Sequence, residues 1–246
     1  MANKVNKTVD IIIPVYYGNL FEIDESIKKQ VVFYSRYLKE YDWKIIIGIN
    51  GLNKNNIIEE VKNICEHYGK KVTYDYDIKP GKGISVKKCI MQSNADIVSF
   101  MDVDLATDLK DFPKLLKLIE KYDFVSGSRY LKGSAYERKF LRTFISKFYL
   151  RYFVKGYLNI KSTDPQCGFK AMKTKIARIV IEIVEDDEWF FETEMMGIAE
   201  MLGCLIKEIP VSWKDNNFSG VNILKAIPYF IKASIKLKKR LNLING

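Results

Sequence analysis

The feature that most limits the fold of this chain is the alternation of short apolar runs with longer amphipathic stretches in its first half. The runs 9–16, 43–49 and 97–101 are rich in β-branched residues and are typical of buried strands. Between them, stretches such as 21–40 carry apolar residues at helical spacing. Further strands are predicted at 71–76, 123–126 and 205–210, and further helices at 57–68, 83–94, 111–121, 174–184 and 222–243. Strands that alternate with helices predict a mostly parallel α/β sheet, which binds ligands beyond the carboxyl ends of its strands.

Composition excludes several other kinds of protein. The chain has 246 residues, of which 48% are apolar and 28% charged, so it can bury a sizeable core. Its four cysteines form no CxxC pair, which argues against a zinc site or a disulfide scaffold. The single histidine, His67, argues against a Ser-His-Asp triad. The start of the chain shows no apolar leader, and no run reaches the roughly 18 apolar residues of a spanning helix, so a cytoplasmic protein is expected.

Two acidic residues, Asp102 and Asp104, directly follow the predicted strand 97–101. Because side chains alternate along an extended segment, both carboxylates point to the same side. Two hard oxygen ligands at a strand end suit Mg²⁺ or Mn²⁺ shared with a diphosphate. The alternative is a pair of turn acids that cap the next helix.

A second candidate is the segment KPGKG, in which Lys82 and Gly83 open a predicted helix. Glycine allows close backbone approach, and a helix N-terminus with a lysine favours an anion. The alternative is an ordinary Gly-Pro turn. The segment is not a P-loop, and the absence of GxGxxG weakens a dinucleotide-binding interpretation.

Three further candidates follow the predicted strand 123–126 along the chain. Arg129 comes directly after GS and could bind a phosphate with two parallel hydrogen bonds. Asp164 and Gln166 belong to a tight turn, and Glu192 and Glu194 lie among aromatic residues, where carboxylates can have raised pKa values or bind a sugar. Each of these features alone is more typical of packing and capping than of function.

Together these segments resemble the family 2 glycosyltransferases of the GT-A fold. The branch that they resemble transfers a sugar from a nucleotide sugar to dolichyl or another polyprenyl phosphate. The resemblance extends over about 9–237, and the motifs occur in the family's order: IPVYYG, PGKGISVKKCI, DVDLATD, GSRY, DPQCGFKAM, FETEMM and EIPVSWKDNNFSGV. It implies a single GT-A catalytic domain at 1–218, with a nucleotide-binding half at 9–129 and an acceptor half at 130–218.

On the donor side, the resemblance implies a pocket for a UDP- or GDP-hexose. Asn50 stands where the family commonly has an acid that contacts the base, so the identity of the base stays open. Some members have a third metal ligand where this chain has Ala106, so water or substrate must complete the Mg²⁺ or Mn²⁺ site of Asp102 and Asp104. The implied donor-binding residues are Pro14, Tyr16, Asn50, Lys82, Gly83 and Asp102.

On the acceptor side, the resemblance implies that arginines bind the phosphates. These are Arg129 together with Arg138 or Arg142 on a basic aromatic segment. The implied catalytic residues are Asp104, Asp164, Gln166 and Glu194, the last three facing the sugar and the acceptor. A phosphate acceptor is already an anion near neutral pH, so it needs cationic positioning rather than a strong general base.

The net charge of +10 belongs to two segments of the chain. Residues 131–161 carry a net +7 and residues 219–246 a net +6, which leaves −3 for the rest. Both segments have apolar faces and predict peripheral association with the cytoplasmic face of a membrane. For the tail 219–246, a predicted basic amphipathic helix, docking on the protein core is the equal alternative.

Two other functions fit parts of the sequence. A family 2 enzyme that acts on a saccharide or glycolipid hydroxyl would need a general base, for which Asp164 or Glu194 is the candidate. A non-enzymatic nucleic-acid-binding protein would explain the basic and aromatic segment 136–158. However, the sequence has no RRM, KH or helix-turn-helix signature, so no nucleic-acid partner is expected.

Overall fold

The computed structural model describes residues 6–137, 140–214 and 223–245, with side chains at 6–137, 143–214 and 226–242. In the first half, strands and helices alternate as the sequence predicts. Their bounds are β1 Lys7–Val15, α1 Leu20–Tyr37, β2 Tyr41–Asn50, α2 Ile57–Tyr68, β3 Val72–Asp77, α3 Lys82–Gln92, β4 Ile97–Met101, α4 Phe112–Leu118 and β5 Phe124–Ser128.

The second half is less regular and contains elements that the sequence did not predict. Its bounds are β6 Ala135–Glu137, α5 Phe140–Tyr149, the π-helix Leu150–Tyr157, β7 Phe169–Lys173, α6 Thr174–Ile183, α7 Phe191–Met201, β8 Ile206–Pro210, β9 Ser212–Lys214 and α8 Ile223–Asn245. The strands β6, β7 and β9 and the helix α7 are among the additions. Strand β7 was missed because Lys170, the second residue of FKAMK, interrupts the apolar run.

The central sheet has the strand order β3-β2-β1-β4-β7-β5-β8. Neighbouring strands are parallel except at β7, which is antiparallel to both β4 and β5. A mostly parallel α/β sheet flanked by helices is therefore confirmed. The predicted halves 9–129 and 130–218 interleave in this sheet, because β7 comes from the second half and joins two strands of the first.

Alternation along the strands builds two apolar layers. Ile11 and Ile13 of β1 belong to the cluster that packs α1, α2 and α4 on one face of the sheet. Ile12 belongs to the cluster that packs α3, α6 and α7 on the other face. This arrangement covers both faces and leaves the carboxyl ends of the strands as the edge where a site can form.

A third, smaller cluster packs the tail helix α8 against the π-helix and the start of α7. Its core comprises Leu150, Val154, Leu158, Ile160, Phe190, Leu237 and Leu241. The apolar stripe of the tail is thus docked on the protein, which was one of the two interpretations of its pattern. None of the described helices is long and apolar enough to cross a membrane.

Candidate functional site

A cavity of about 510 Å³ lies beyond the carboxyl ends of β4 and β5, between the sheet and α8. Part of its wall is charged or polar, and the rest is almost entirely apolar. The polar part is formed by Lys82, Asp102, Arg129, Gln166 and Glu192. The apolar part comes from α5, the π-helix, α8 and the segment before α7: Phe144, Ile145, Phe148, Tyr149, Phe153, Trp189, Ala226, Ile227, Phe230 and Ile231, with Ser146 among them.

The acids that follow β4 do not cap the next helix. That role belongs to Asp108, whose carboxylate accepts a hydrogen bond from the backbone N–H of Lys110 at the start of the 3-10 helix Leu109–Asp111, directly before α4. Asp104 is largely buried and accepts from the N–H of Ala106 at 3.0 Å. Burial, followed by the charge of Asp102, raises the pKa of Asp104 to about 6. Two neighbouring carboxylates of this kind repel each other, and a shared cation would relieve that repulsion.

The donor set at Asp102 and Asp104 fits a divalent metal in its chemistry, since both side chains offer hard oxygen ligands. Space for the Asp102 carboxylate depends on Gly168, because a Cβ there would lie 2.4 Å from Asp102 Oδ2. Within the described ranges, no group of three or more His, Cys, Asp or Glu side chains could hold a metal. Among the described residues, a metal at Asp102 and Asp104 would therefore need further ligands from the substrate or from water, and the expectation drawn from Ala106 stays a prediction.

Lys82 connects this acidic pair to a buried ion-pair cluster. Its Nζ lies 2.6 Å from Asp102 Oδ1 and 2.5 Å from Glu192 Oε1. The other carboxylate oxygen of Glu192 lies 3.0 Å from Nζ of the fully buried Lys170. Burial alone would raise the pKa of Glu192, but the two lysines hold it down to about 2. Glu192 is therefore a permanent anion that positions two cations. The raised pKa expected for it among aromatic residues is wrong, because the lysines outweigh the effect of burial. Lys170 was not singled out in the sequence.

Glu194 was predicted to face the sugar and the acceptor, and this prediction is wrong. Its carboxylate accepts from the backbone N–H groups of Glu185 and Asp186 at 3.2 and 2.8 Å and pairs with Arg240 of α8. Residues two positions apart on a helix point in nearly opposite directions, so Glu192 and Glu194 of α7 cannot both face the cavity. Glu192 is the one that lines it.

Asp164 was also predicted to face the substrate, and it does not. It is fully buried, and both of its oxygens accept hydrogen bonds from Arg129, Oδ2 from Nε at 2.7 Å and Oδ1 from Nη2 at 2.8 Å. The backbone N–H of Arg129 donates to the same carboxylate at 3.0 Å. Arg129 also lies over the ring of Trp213, 5.3 Å from its centre. Asp164 thus orients Arg129, which does line the cavity as predicted.

Two further carboxylates that the sequence did not single out hold the loop before Gln166. Glu208 of β8 accepts from the N–H groups of Thr163 and Asp164 at 2.8 and 3.0 Å. Glu200 of α7 accepts from the N–H groups of 161 and 162 at 2.7 and 2.9 Å. With its backbone held in this way, the loop presents Gln166 to the cavity, as predicted.

On the donor side, Asn50 is committed to the backbone rather than open to a base. Its amide nitrogen donates to the carbonyl of Val15 at 2.9 Å, and its amide oxygen accepts from the N–H of Gly81 at 3.0 Å. Asn50 therefore ties together the ends of β1 and β2 and the start of α3. Pro14 is buried at the end of β1 and Tyr16 is exposed beside it, so their nucleoside contacts stay a prediction.

Gly83 was predicted to help bind an anion at the start of α3, but a loop of the protein covers it. A Cβ at Gly83 would lie 2.8 Å from the carbonyl carbon of Asp187. The carbonyl oxygen of Asp187 accepts the next N–H, that of Ile84, at 3.2 Å. The glycine is needed because another backbone segment approaches here, and Lys82 remains the group of this segment that reaches the cavity.

Two predicted phosphate-binding residues stay untested by the geometry. Arg138 lies outside the described residues, and Arg142 lies outside those whose side chains are described. Both stay predictions.

Comparisons with known proteins agree with this geometry. The family described as "Glycosyl transferase family 2" matches residues 10–179. A dolichyl-phosphate beta-glucosyltransferase of Mus musculus is 30% identical over 187 residues, which are 71% of this chain and 57% of that protein. Glycosyltransferase AglD of Haloferax volcanii is 25% identical over 228 residues, 92% of this chain and 36% of its own length. The chain thus spans about half the length, or less, of these two relatives.

Solved structures share the fold at low sequence identity. Glucosyl-3-phosphoglycerate synthase of Mycobacterium tuberculosis, in complex with Mn²⁺, UDP and its product, superposes with a TM-score of 0.65 at 15% identity, covering 96% of this chain and 81% of that one. A mannosyltransferase of Pyrobaculum calidifontis with GDP-mannose and Mn²⁺ gives a TM-score of 0.56 at 15% identity, covering 86% and 58%. Since one neighbour holds UDP and the other a GDP-sugar, the likeness leaves the base undecided.

Proposed function

Because this chain belongs to glycosyl transferase family 2, we propose that it transfers a hexose from a nucleotide sugar to the phosphate of a polyprenyl lipid such as dolichyl phosphate. The observation that carries this function is the divided wall of the cavity. Lys82, Asp102 and Arg129 form a charged part, and the aromatic and aliphatic side chains of α5, the π-helix and α8 form an apolar part. An acceptor with an anionic head and a hydrocarbon tail matches both parts.

The charged part provides for a leaving diphosphate and an incoming phosphate. Asp102 and Asp104 would hold Mg²⁺ or Mn²⁺, which would supply a Lewis acid for the diphosphate. Lys82 adds a buried positive charge at the same place. Arg129, held by Asp164, keeps its guanidinium in one orientation toward the cavity and would position the acceptor phosphate.

The state of the carboxylates favours a phosphate acceptor over a hydroxyl acceptor. A hydroxyl needs a general base, and the two candidates, Asp164 and Glu194, are each paired with an arginine and do not line the cavity. Glu192 lines the cavity, but two lysines hold its pKa at about 2, which makes it a poor base near neutral pH. An acceptor that is already an anion needs none of these groups as a base.

The opening of the cavity suits a lipid that is delivered from a membrane. Phe144 and Phe148 line the apolar part and are also 61% and 51% exposed, so this part is open to solvent. Exposed Lys147 and Arg151 flank these rings on the same helical segment. Aromatic rings beside basic residues bind anionic membrane surfaces, so the protein would associate peripherally with the cytoplasmic face of a membrane.

The remaining positive charge gives little support to nucleic-acid binding. In the tail, Lys236 and Arg240 pair with Glu185, and Arg240 also pairs with Glu194. Part of the basic surplus therefore balances acidic groups of the protein itself.

A transfer assay tests this function. The full chain is incubated with labelled UDP- and GDP-hexoses, Mg²⁺ or Mn²⁺, and a polyprenyl phosphate in detergent, and the label in the organic phase is counted. Label is expected in the lipid from at least one donor, and none with the matching polyprenol that lacks the phosphate. Asp104→Asn should abolish the transfer, whereas Asp108→Asn, four residues further on, should retain it. Product only in the aqueous saccharide fraction, or none across the panel, would contradict the lipid phosphate acceptor.

A further inference from the structure

Lys82 forms an ion pair with Asp102, whose carboxylate is one of the two that would bind a metal. Its ammonium lies 2.6 Å from Asp102 Oδ1, and its side chain is only 9% exposed, whereas that of Asp102 is 44% exposed. The lysine therefore contacts Asp102 from the protein side of the cavity. A divalent cation on the same carboxylate would lie close to the ammonium and be repelled by it.

We infer that Lys82 is a stand-in cation, which keeps Asp102 from binding a free divalent metal until a nucleotide diphosphate arrives with it. This role rests on the proposed function only in assuming that the donor carries a diphosphate. It makes metal binding conditional on the nucleotide. The metal and the donor would then enter the site as a pair.

The charge balance of the cavity supports this inference. Three carboxylates, those of Asp102, Asp104 and Glu192, face two ammonium groups, those of Lys82 and Lys170, so the cluster carries one net negative charge when all are ionised. A divalent cation alone would turn this charge positive. The diphosphate of a nucleotide sugar, which carries two negative charges, would alone make it more negative. Both together leave the original balance unchanged.

Glu192 gives Lys82 a second ion-pair partner. Lys82 would stay paired with it when a metal ion binds Asp102. The Lys82 ammonium lies 2.5 Å from Glu192 Oε1, so it stays paired if it leaves Asp102. Glu192 is itself fixed by Lys170, whose ammonium also donates to the carbonyl of Cys167. A lysine with one fixed partner and one exchangeable partner can turn toward a diphosphate without becoming an unpaired buried charge.

The backbone of Gly168 lies close to both members of the Asp102–Lys82 pair. A Cβ at Gly168 would lie 2.4 Å from Asp102 Oδ2 and 3.0 Å from Lys82 Nζ. The backbone at Gly168 therefore closes the site behind the Asp102–Lys82 pair.

The test measures the binding of Mn²⁺ alone, by electron paramagnetic resonance titration of the full chain without donor or lipid. Lys82→Met should bind Mn²⁺ about tenfold more tightly than the unaltered protein, since the competing ammonium is gone. Adding a nucleoside diphosphate should then tighten Mn²⁺ binding strongly in the unaltered protein and much less in the variant. Lys79→Met, which removes the same charge from an exposed position of the same loop, should leave Mn²⁺ binding unchanged.

Lys82→Met leaves Glu192 paired with Lys170, so the variant should fold, and Lys82→Gln is measured beside it. Equal Mn²⁺ affinity of the folded variants and the unaltered protein would overturn the inference, as would an equal gain in Lys79→Met. The result is independent of the transfer assay, because neither a sugar donor nor an acceptor lipid is present. Tighter Mn²⁺ binding by Lys82→Met, together with no lipid product from the unaltered protein in the transfer assay, would keep the stand-in cation and reject the acceptor.

Discussion

At the scale of single residues, the buried charges around the cavity differ in what they hold. Asp164 orients Arg129, Glu194 fastens Arg240, and Glu192 fixes the lysines on either side of it. None of the three carboxylates is free to accept a proton from a substrate. Under the proposed function, the site would work by placing cations, which is what the transfer of a sugar between two phosphates requires.

The pair of Asp164 and Arg129 gives a prediction on stability. Asp164→Asn removes one charge of a buried pair and leaves the Arg129 guanidinium without its carboxylate. The free energy of unfolding should fall by about 3–5 kcal/mol in urea. The control is Glu25→Gln, which breaks the exposed pair with Lys29 on α1 and should leave the free energy of unfolding nearly unchanged. Similar decreases in the free energy of unfolding of the two variants would show that the buried pair contributes no more to stability than the exposed pair.

Asp104 gives a prediction on pH. Burial and the neighbouring Asp102 raise its pKa from 3.8 to about 6 in the folded protein. Between these values the native state keeps a proton that the unfolded chain has released, so the contribution of Asp104 to stability falls as the pH rises through this window. In chelator, Asp104→Asn should be more stable than the unaltered protein at pH 7, and the gain should disappear below about pH 4. Urea unfolding at a series of pH values measures it, and a gain that is independent of pH would contradict it.

Single residues also show which parts of the site could be predicted from the sequence. Asp102, Lys82, Arg129 and Gln166 were predicted because they follow strands or turns at the ligand-binding edge, and all four line the cavity. The choice between Glu192 and Glu194 was wrong. Helix α7 is buried on every side over 191–199, so no apolar stripe shows which face looks into the cavity. Only the packing of the neighbouring elements decides that.

At the scale of elements, the acidic loop 185–188 joins the donor side to the acceptor side. Toward α3, Lys87 donates to the carbonyls of Val184 and Asp186 and pairs with Asp187. Toward α8, the hydroxyl of Tyr229 donates to Asp186 Oδ2 at 2.6 Å. One short loop therefore touches both the helix that carries Lys82 and the helix that walls the apolar part of the cavity.

The docking of α8 gives a prediction for Arg240. Arg240→Met removes the partner of Glu194 and Glu185, so α8 should be held less firmly. The backbone amides of α8 should exchange with deuterium about tenfold faster, which corresponds to ~1.4 kcal/mol of local stability. Lys239→Met, at an exposed position of the same helix, should leave the exchange unchanged. Unaltered exchange in Arg240→Met would mean that the apolar contacts alone hold the helix.

The sequence left the position of α8 open for a physical reason. An amphipathic basic helix can place its apolar stripe on a membrane or on a protein, and both use the same pattern. In this protein, ion pairs with Glu185 and Glu194 help to hold α8 on the protein. These residues lie about fifty positions earlier in the chain and contact Arg240 only in the folded structure. Strand β7 was hidden in a similar way, because the charge of Lys170 is compensated by the distant Glu192.

At the scale of the whole molecule, the exposed aromatic and basic side chains beside the cavity define one side of the protein. Phe144, Phe148 and Tyr152 are more than half exposed and lie one helical turn apart along α5 and the π-helix. Lys147, Arg151 and, nearby, Lys155 accompany them. Helix α1, whose basic residues are exposed, packs on the opposite face of the sheet from α7.

The position of these side chains on one side of the protein predicts which basic residues contribute to membrane binding. Lys147→Gln, Arg151→Gln and Lys155→Gln together should weaken cosedimentation with vesicles that contain anionic lipid by about 3 kcal/mol, or roughly a hundredfold. Neutral vesicles should show little difference between the variant and the unaltered protein. The control replaces Lys28, Arg36 and Lys39, all exposed on or next to α1, by Gln. Equal losses in the two triple variants would mean that net charge, and not this side of the protein, governs binding.

The antiparallel strand in the middle of the sheet also determines when the protein can complete its fold during synthesis. Once residues 7–101 have left the ribosome, β1 to β4 can pair, but the free edge of β4, with the apolar sequence IVSFM, has no neighbour until β7 emerges. That delay spans about 70 residues, or roughly ten seconds at about 5–20 residues per second. An open apolar edge is a template for pairing with another chain. Nascent copies on one messenger should therefore be most prone to aggregation in this interval, and chaperones that cover strand edges should act on the chain then.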